Sequence, residues 1–497
     1  MKRIDIHCHP SIKPYGQSFS FHPAGQNTTN VKQKNSIFHY DPPTAFDRLL
    51  NRTVMGLTKF TQTDVTTLHK GGFSVVVVSL SPLEKPFITN AAGNNLIADG
   101  VTNLVTGVGK ARIDDVQASV YRYFNDLEKD YQFYCQLDGA EVTVAGQRLR
   151  YKLVRSFTAI DNAPVMSDVH TVFMLMSIEG GHAFNNRSYL TYNHDDVLNN
   201  IRIVKQWEYP PVFVTLAHHF KNHLTGHAQS LTGVVDWMTN QEADMNADLH
   251  EIGKEAIRLL LNPNEGARCL IDIKHMSEKA RTTYFQMLKG EFSGEGIPVV
   301  VSHGAVNGLV SPQNKTVSTL PEAGAFYSGD INFYDSEIID IARTGGIFGI
   351  QLDERRIAGK ERLKKSNLWF ASRSKRLLAK SELVWNQIVY IARLLDRAGL
   401  DAWTLQALGT DFDGVIDPVN MFWTAEDMPL LEQNLLIHAQ RFVDKSIHEM
   451  SVPNQISAHD IVANFMGANA ERFFRNAERG CLVDATVADR AQEALVM

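Results

Sequence analysis

"FSVVVVSL", residues 73–80, is apolar on both strand faces, leaving neither side fit to meet water. A strand of this kind is covered on both sides, as the strands of parallel sheets are. Seven further runs share its character: "RIDIHCH" (3–9), "TVFMLMSIEG" (171–180), "PVFVTLAHH" (211–219), "CLIDIKH" (269–275), "IPVVVSH" (297–303), "GIFGIQLD" (346–353) and "LQALGTDFD" (405–413). They lie too far apart for hairpins. Between them, residues 114–131, 249–261 and 382–399 place apolar side chains at helical spacing, the last stopping at Gly399. Eight strand and helix units predict a closed (β/α)8 TIM barrel.

A chain of 497 residues, 44% hydrophobic and 21% charged, has ample material for a large core. We expect one barrel over 1–497 with three loop insertions, at about 10–45, 132–168 and 354–380. The first is polar and aperiodic. The second contains "EVTVAGQRLRYKLV" (141–154), two alternating runs about Ala-Gly, which predicts a hairpin. The third is the single basic patch, read as a solvated face. A net charge of −6 with scattered Lys and Arg offers no footprint for nucleic acid or an anionic membrane, and no apolar run is long enough to span one. The expected partner is a small-molecule substrate. Four cysteines without paired spacing make neither a disulfide framework nor a thiolate zinc site, and no leader pattern opens the chain, so a cytoplasmic protein is expected. A homodimer is compatible with the sequence, which identifies no interface.

Six of the eight runs end on residues able to bind metal or move protons: His7 and His9, Glu179, His218, His275, His303 and Asp411. Any one histidine at a strand end is ordinarily a hydrogen-bonded structural residue. Their conjunction points elsewhere, because the C-terminal strand ends of a barrel gather on one face. On one face, they form a His/carboxylate metal site. His7 and His9 share a strand face, with Asp5 on the same side and Cys8 on the other as a small buried hydrophobe. Strand alternation places Lys274 opposite His275, as a core-edge or solvent residue. His182 in "EGGH" falls beyond its strand, either orienting a ligand or lying in a loop; His219, His223 and His227 are given the rim and no catalytic role. "DFDG" (411–414) lacks the spacing of a calcium loop.

These pieces resemble the membrane dipeptidase family, the renal dipeptidase-like M19 peptidases of the amidohydrolase superfamily. The resemblance is carried in family order by "DIHCH" (5–9), "GGFSVVVVSLSP" (71–82), "SIEGGH" (177–182), "TLAHHFKN" (215–222), "LIDIKHMS" (270–277), "PVVVSHG" (298–304), "GTDFDG" (409–414) and "IVANFMGANAERFF" (461–474). It implies two zinc ions bridged by Glu179, one held also by His7 and His9, the other by His275 and His303. It further implies that Asp411 handles protons at the attacking water and that His218 holds the substrate or its oxyanion. The chain departs from the family at His9, where an aspartate is usual; at Ile331 of "INFYD" (331–335), where an arginine grips the substrate carboxylate; and at "QLD" (351–353), which replaces "NFY". Arg355, Arg356 and Lys360 are the nearby cations that could compensate. The expected activity is a metallopeptidase-like hydrolysis of an amide in a dipeptide or N-acyl amino acid. The alternatives are a hydrolase of a lactone, cyclic amide or phosphoester, and a noncatalytic small-molecule binding barrel.

Overall fold

Each of the eight apolar runs becomes a strand. The computed structural model describes residues 2–53, 58–88, 107–164, 168–187, 191–231, 239–368 and 370–479, so Cys481 lies outside the described residues. In chain order the strands are β1 (Arg3–Cys8), β2 (Phe73–Leu80), β3 (Val142–Val144), β4 (Gln147–Leu153), β5 (Val169–Glu179), β6 (Phe213–Thr215), β7 (Leu270–Asp272), β8 (Val300–Gly304), β9 (Ile347–Ile350) and β10 (Gln406–Leu408). The parallel order β1-β2-β5-β6-β7-β8-β9-β10, with helices in the connections, is that of the expected barrel. Beyond β10 the chain rejoins β1: Asp411 N donates to the His7 carbonyl and His9 N to the Phe412 carbonyl, both at 3.0 Å.

Two buried aspartates fasten the strands near their tips. Asp5 accepts from Thr410 N (3.0 Å), Thr410 Oγ1 (2.6 Å) and His7 N (3.1 Å), joining the first strand to the chain after the last. Asp272 accepts from Thr215 Oγ1 (2.5 Å), Ser302 Oγ (2.6 Å), Ser302 N (3.1 Å) and Lys274 N (3.0 Å), joining β6, β7 and β8. Burial and hydrogen bonding thus replace the metal-face position that alternation gave Asp5.

The hairpin at 142–153 is present, with Ala145 and Gly146 both at positive φ (49° and 82°), as a two-residue turn of the primed type requires. Its second strand pairs parallel with the first half of β5, extending the sheet past the barrel. The helix over 382–399 starts earlier, as Arg373–Arg397, and its stop is at Gly399 in the left-handed region (φ 70°). The helix expected over 114–131 is instead two, Lys110–Gln117 and Tyr123–Cys135. The break lets Tyr121 turn inward to donate toward Asp126 and the Leu83 carbonyl. The first insertion contains the helix Ile12–Ser18, which seats Gly16 flush on Val108. In the third insertion Lys360 is exposed, but Arg356 and Lys380 are buried, Lys380 against Glu354 at 3.1 Å. The basic stretch is therefore not wholly a solvated face. Among the described residues no helix is long and apolar enough to cross a membrane.

Candidate metal centre

The strand tips bring the expected residues together. His7 and His9 come from β1 and its end, Glu179 from the last position of β5, His303 from β8, and His275 and Asp411 from the turns after β7 and β10. Glu179 lies at their centre. Its Oε1 is 3.3 Å from His275 Nε2, 3.4 Å from His303 Nε2 and 3.6 Å from His7 Nε2; its Oε2 is 3.3 Å from His9 Nε2 and 3.6 Å from His218 Nε2. Asp411 Oδ1 approaches His9 Nε2 at 3.4 Å and His7 Nε2 at 3.8 Å, while its Oδ2 lies 3.9 Å from His303 Nε2.

The donor set suits a cation. The ring nitrogens His7 Nε2 and His9 Nε2 face each other at 3.2 Å, as do His275 Nε2 and His303 Nε2. In His9, Nδ1 is 3.1 Å from the Ser79 carbonyl and must donate to it, so in the neutral ring the lone pair lies on the inward Nε2. In His303, Nδ1 lies 2.9 Å from Ser302 Oγ, whose own proton goes to Asp272, so Nδ1 again donates and Nε2 again presents a lone pair. Glu179 Oε1 is buried without a hydrogen-bond donor. Lone pairs converging on an unanswered carboxylate oxygen fit a metal ion between them. The trios whose ligand atoms lie within 4.8 Å of one another are His7–Glu179–His303, His7–His9–Asp411, Glu179–His218–His275 and Glu84–His182–His218. His7 thus falls with His303 as well as with His9.

Local conformation serves this convergence. His275 and Asp411 both lie in the left-handed region (φ 64° and 58°), an uncommon conformation for non-glycine residues and one that collects at functional sites. Burial opposes charge on Glu179, yet the surrounding imidazoles, His218 and His7 foremost, hold its carboxyl well below the usual range. Burial, with the Glu179 charge adding to it, pushes Asp411 up to about 6.

Several residues in this cavity have roles that the strand pattern did not assign. Lys274, placed by alternation at a core edge, lines the cavity and is 1% exposed. Strand pairing stops at Asp272 and the backbone turns over at His275, so the period of two no longer applies. Glu84 lies beyond β2 with Oε1 2.7 Å from His218 Nδ1, orienting that ring with Nε2 toward Glu179. His219 lines the cavity and pairs with Ser230 Oγ at 2.7 Å, whereas His227 is buried against backbone carbonyls. His182 stacks on His218 with centroids 6.0 Å apart, and its Nε2 meets the Pro82 carbonyl at 2.8 Å. Cys8 is fully buried, as expected of a small hydrophobe. The remaining wall includes Leu231, Ile331, Gln351, Asp353, Arg355, Arg356 and Ile416.

No family model and no curated protein matches the sequence. Among solved structures, the chain is similar to the probable dipeptidase PvdM from Pseudomonas aeruginosa, at 12% identity and a TM-score of 0.54, over 97% of this chain and 96% of that one. An amidohydrolase from Pseudomonas aeruginosa follows at 15% identity and a TM-score of 0.45, over 83% and 91% of the two chains. A metallopeptidase from Rhodobacter sphaeroides, liganded with a phosphinate mimic of the dipeptide L-Ala-D-Ala, gives 13% identity and a TM-score of 0.46, over 86% and 94%. At this identity the likeness to PvdM is one of fold, and it runs nearly from end to end of both chains. The barrel that the membrane dipeptidase resemblance implies is the barrel found.

Proposed function

We propose that this protein is a metal-dependent hydrolase that cleaves an amide bond in a small substrate, a dipeptide or an N-acyl amino acid, with two zinc ions sharing Glu179. The reading rests on one observation: His7, His9, Glu179, His275, His303 and Asp411, brought from both ends of the chain, cluster around the Glu179 carboxylate. PvdM, whose fold the chain shares, is described as a probable dipeptidase, which supports an amide as the bond attacked.

In this reading the five other residues hold the metal and Asp411 is reserved for protons. Ions bound there would polarise the scissile carbonyl and make water nucleophilic at neutral pH. The Asp411 carboxylate, held over the imidazole cluster, takes the proton of the attacking water and returns it to the leaving amine. Against burial, Glu179 and Glu84 hold His218 above the usual imidazole range, so with Nδ1 on Glu84 the charged ring would present Nε2–H to the oxygen that becomes negative. Leu231, Ile331 and Ile416 make part of the wall apolar, which limits the water in contact with these groups.

The test is a screen of the zinc-loaded protein against dipeptides, N-acyl amino acids and lactones, with Asp411→Asn alongside. Amide turnover is expected in the wild type and its loss in Asp411→Asn, at nearly unchanged metal content by mass spectrometry. Turnover of lactones alone would overturn the amide assignment. No turnover at full metal occupancy would overturn the enzyme, and metal lost together with activity would make Asp411 a ligand.

A further inference from the structure

One wall of the cavity carries donors that, among the described residues, no carboxylate meets within ion-pair distance. Lys274, Arg356 and Gln351 all line it and all are buried, at 1%, 6% and 2% exposure. Among the described residues the Lys274 ammonium has neither a hydrogen-bond acceptor nor an ion-pair partner. Arg356 donates to the Ser230 carbonyl and lies over the Tyr327 ring at 5.5 Å, with no carboxylate of the described residues in ion-pair reach. Gln351 Nε2 is buried without an acceptor. The strongest charge acting on Lys274 is Arg356 itself, a like charge.

Two buried cations set against each other are costly, and an amide donor without an acceptor adds to the cost. The carboxylates nearby are engaged elsewhere. Asp353 is paired with Arg355 at 2.5 Å, Asp272 accepts four bonds from neighbouring strands, and Glu179 and Asp411 face the imidazoles. An anion entering between Lys274 and Arg356 would offset the charge of both, with Gln351 in the same wall as a further donor. Asp411 and Glu179 act on Lys274 as well, so a single negative charge suits the place better than a phosphate dianion. Ile331, in the same cavity, offers such a group nothing.

We propose that Lys274, Arg356 and Gln351 form a carboxylate-binding subsite beside the histidine cluster, so that the substrate carries a carboxylate next to the bond to be cleaved. The second half of this statement rests on the hydrolase reading; the subsite itself does not. Its test is therefore one of binding. In full-length protein carrying Asp411→Asn to prevent turnover, N-acetylglycine and N-acetylglycinamide are titrated and followed by ligand-observed NMR. The acid is expected to bind at least about tenfold more tightly than the amide, as a hydrogen-bonded charge pair implies. Adding Lys274→Met or Arg356→Met should abolish most of that preference at unchanged metal content, and Lys274→Arg should keep it. Because Arg356 stands further along the chain from the histidines than Lys274 does, Arg356→Met decides the matter if Lys274→Met loses metal or fails to fold. Equal binding of acid and amide, or a preference that survives Arg356→Met, overturns the subsite. An enzyme that turns over amides yet shows no such preference would refute the subsite alone; a preference without turnover by the wild type would refute the hydrolase reading alone.

Discussion

Gly414 leaves empty the volume that the Asp411 carboxylate uses: a Cβ at 414 would stand 2.0 Å from Asp411 Oδ1. Gly414→Ala should therefore displace the carboxylate by about an ångström and lower kcat by about 100-fold, with zinc content unchanged by mass spectrometry. A second residue gives a pH signature. Asp130 is buried with Oδ1 lacking a donor, and burial, then the Asp126 charge, pushes its carboxyl from 3.8 up to about 7. The folded state thus keeps a proton that the unfolded chain has released, and Asp130's contribution to stability declines as pH rises through that window. Asp130→Asn does not titrate, so its stability relative to wild type should increase from pH 4 to pH 7, measured by denaturant unfolding at several pH values. At this scale the histidine and carboxylate cluster was legible because six of the strand runs end on such residues and a barrel gathers those ends on one face. The inward placement of Lys274 and Glu84 was not, since it depends on where β7 stops and how the chain leaves β2; Arg356 was named as a nearby cation, but its burial depends on how a basic stretch folds inward. Residue type encodes none of these.

Among the elements, strands were read most easily, because a run such as 73–80 is apolar on both faces for one structural reason. Helix ends were harder. The break between Gln117 and Tyr123 comes from Tyr121 turning toward Asp126, a tertiary demand that local periodicity does not contain. The hairpin was visible in its alternation about Ala145–Gly146, and its turn offers a direct check. Ala145 is exposed and left-handed, a conformation that costs alanine roughly 1 kcal/mol and asparagine less. Ala145→Asn should raise stability by about 0.5–1 kcal/mol, and Gly146→Ala should lower it by a similar amount, both read from denaturant midpoints.

For the whole molecule, the barrel gathers at one mouth side chains that a linear reading leaves scattered from residue 7 to residue 411. On the metal-site reading proposed above, binding of the ion to the folded chain must then act on global stability. Removing metal with a chelator should lower the thermal midpoint by several degrees, and adding zinc back should restore it in a concentration-dependent way. An unchanged midpoint at verified metal loss would place the ion outside the barrel mouth. Asp5 gives that coupling a physical route, because the carboxylate that fastens the last strand to the first also grips the amide of His7. Loosening the staves and surrendering a metal ion held there should consequently be a single kinetic event, so the dissociation half-life of added zinc would become a clock for the breathing of the barrel.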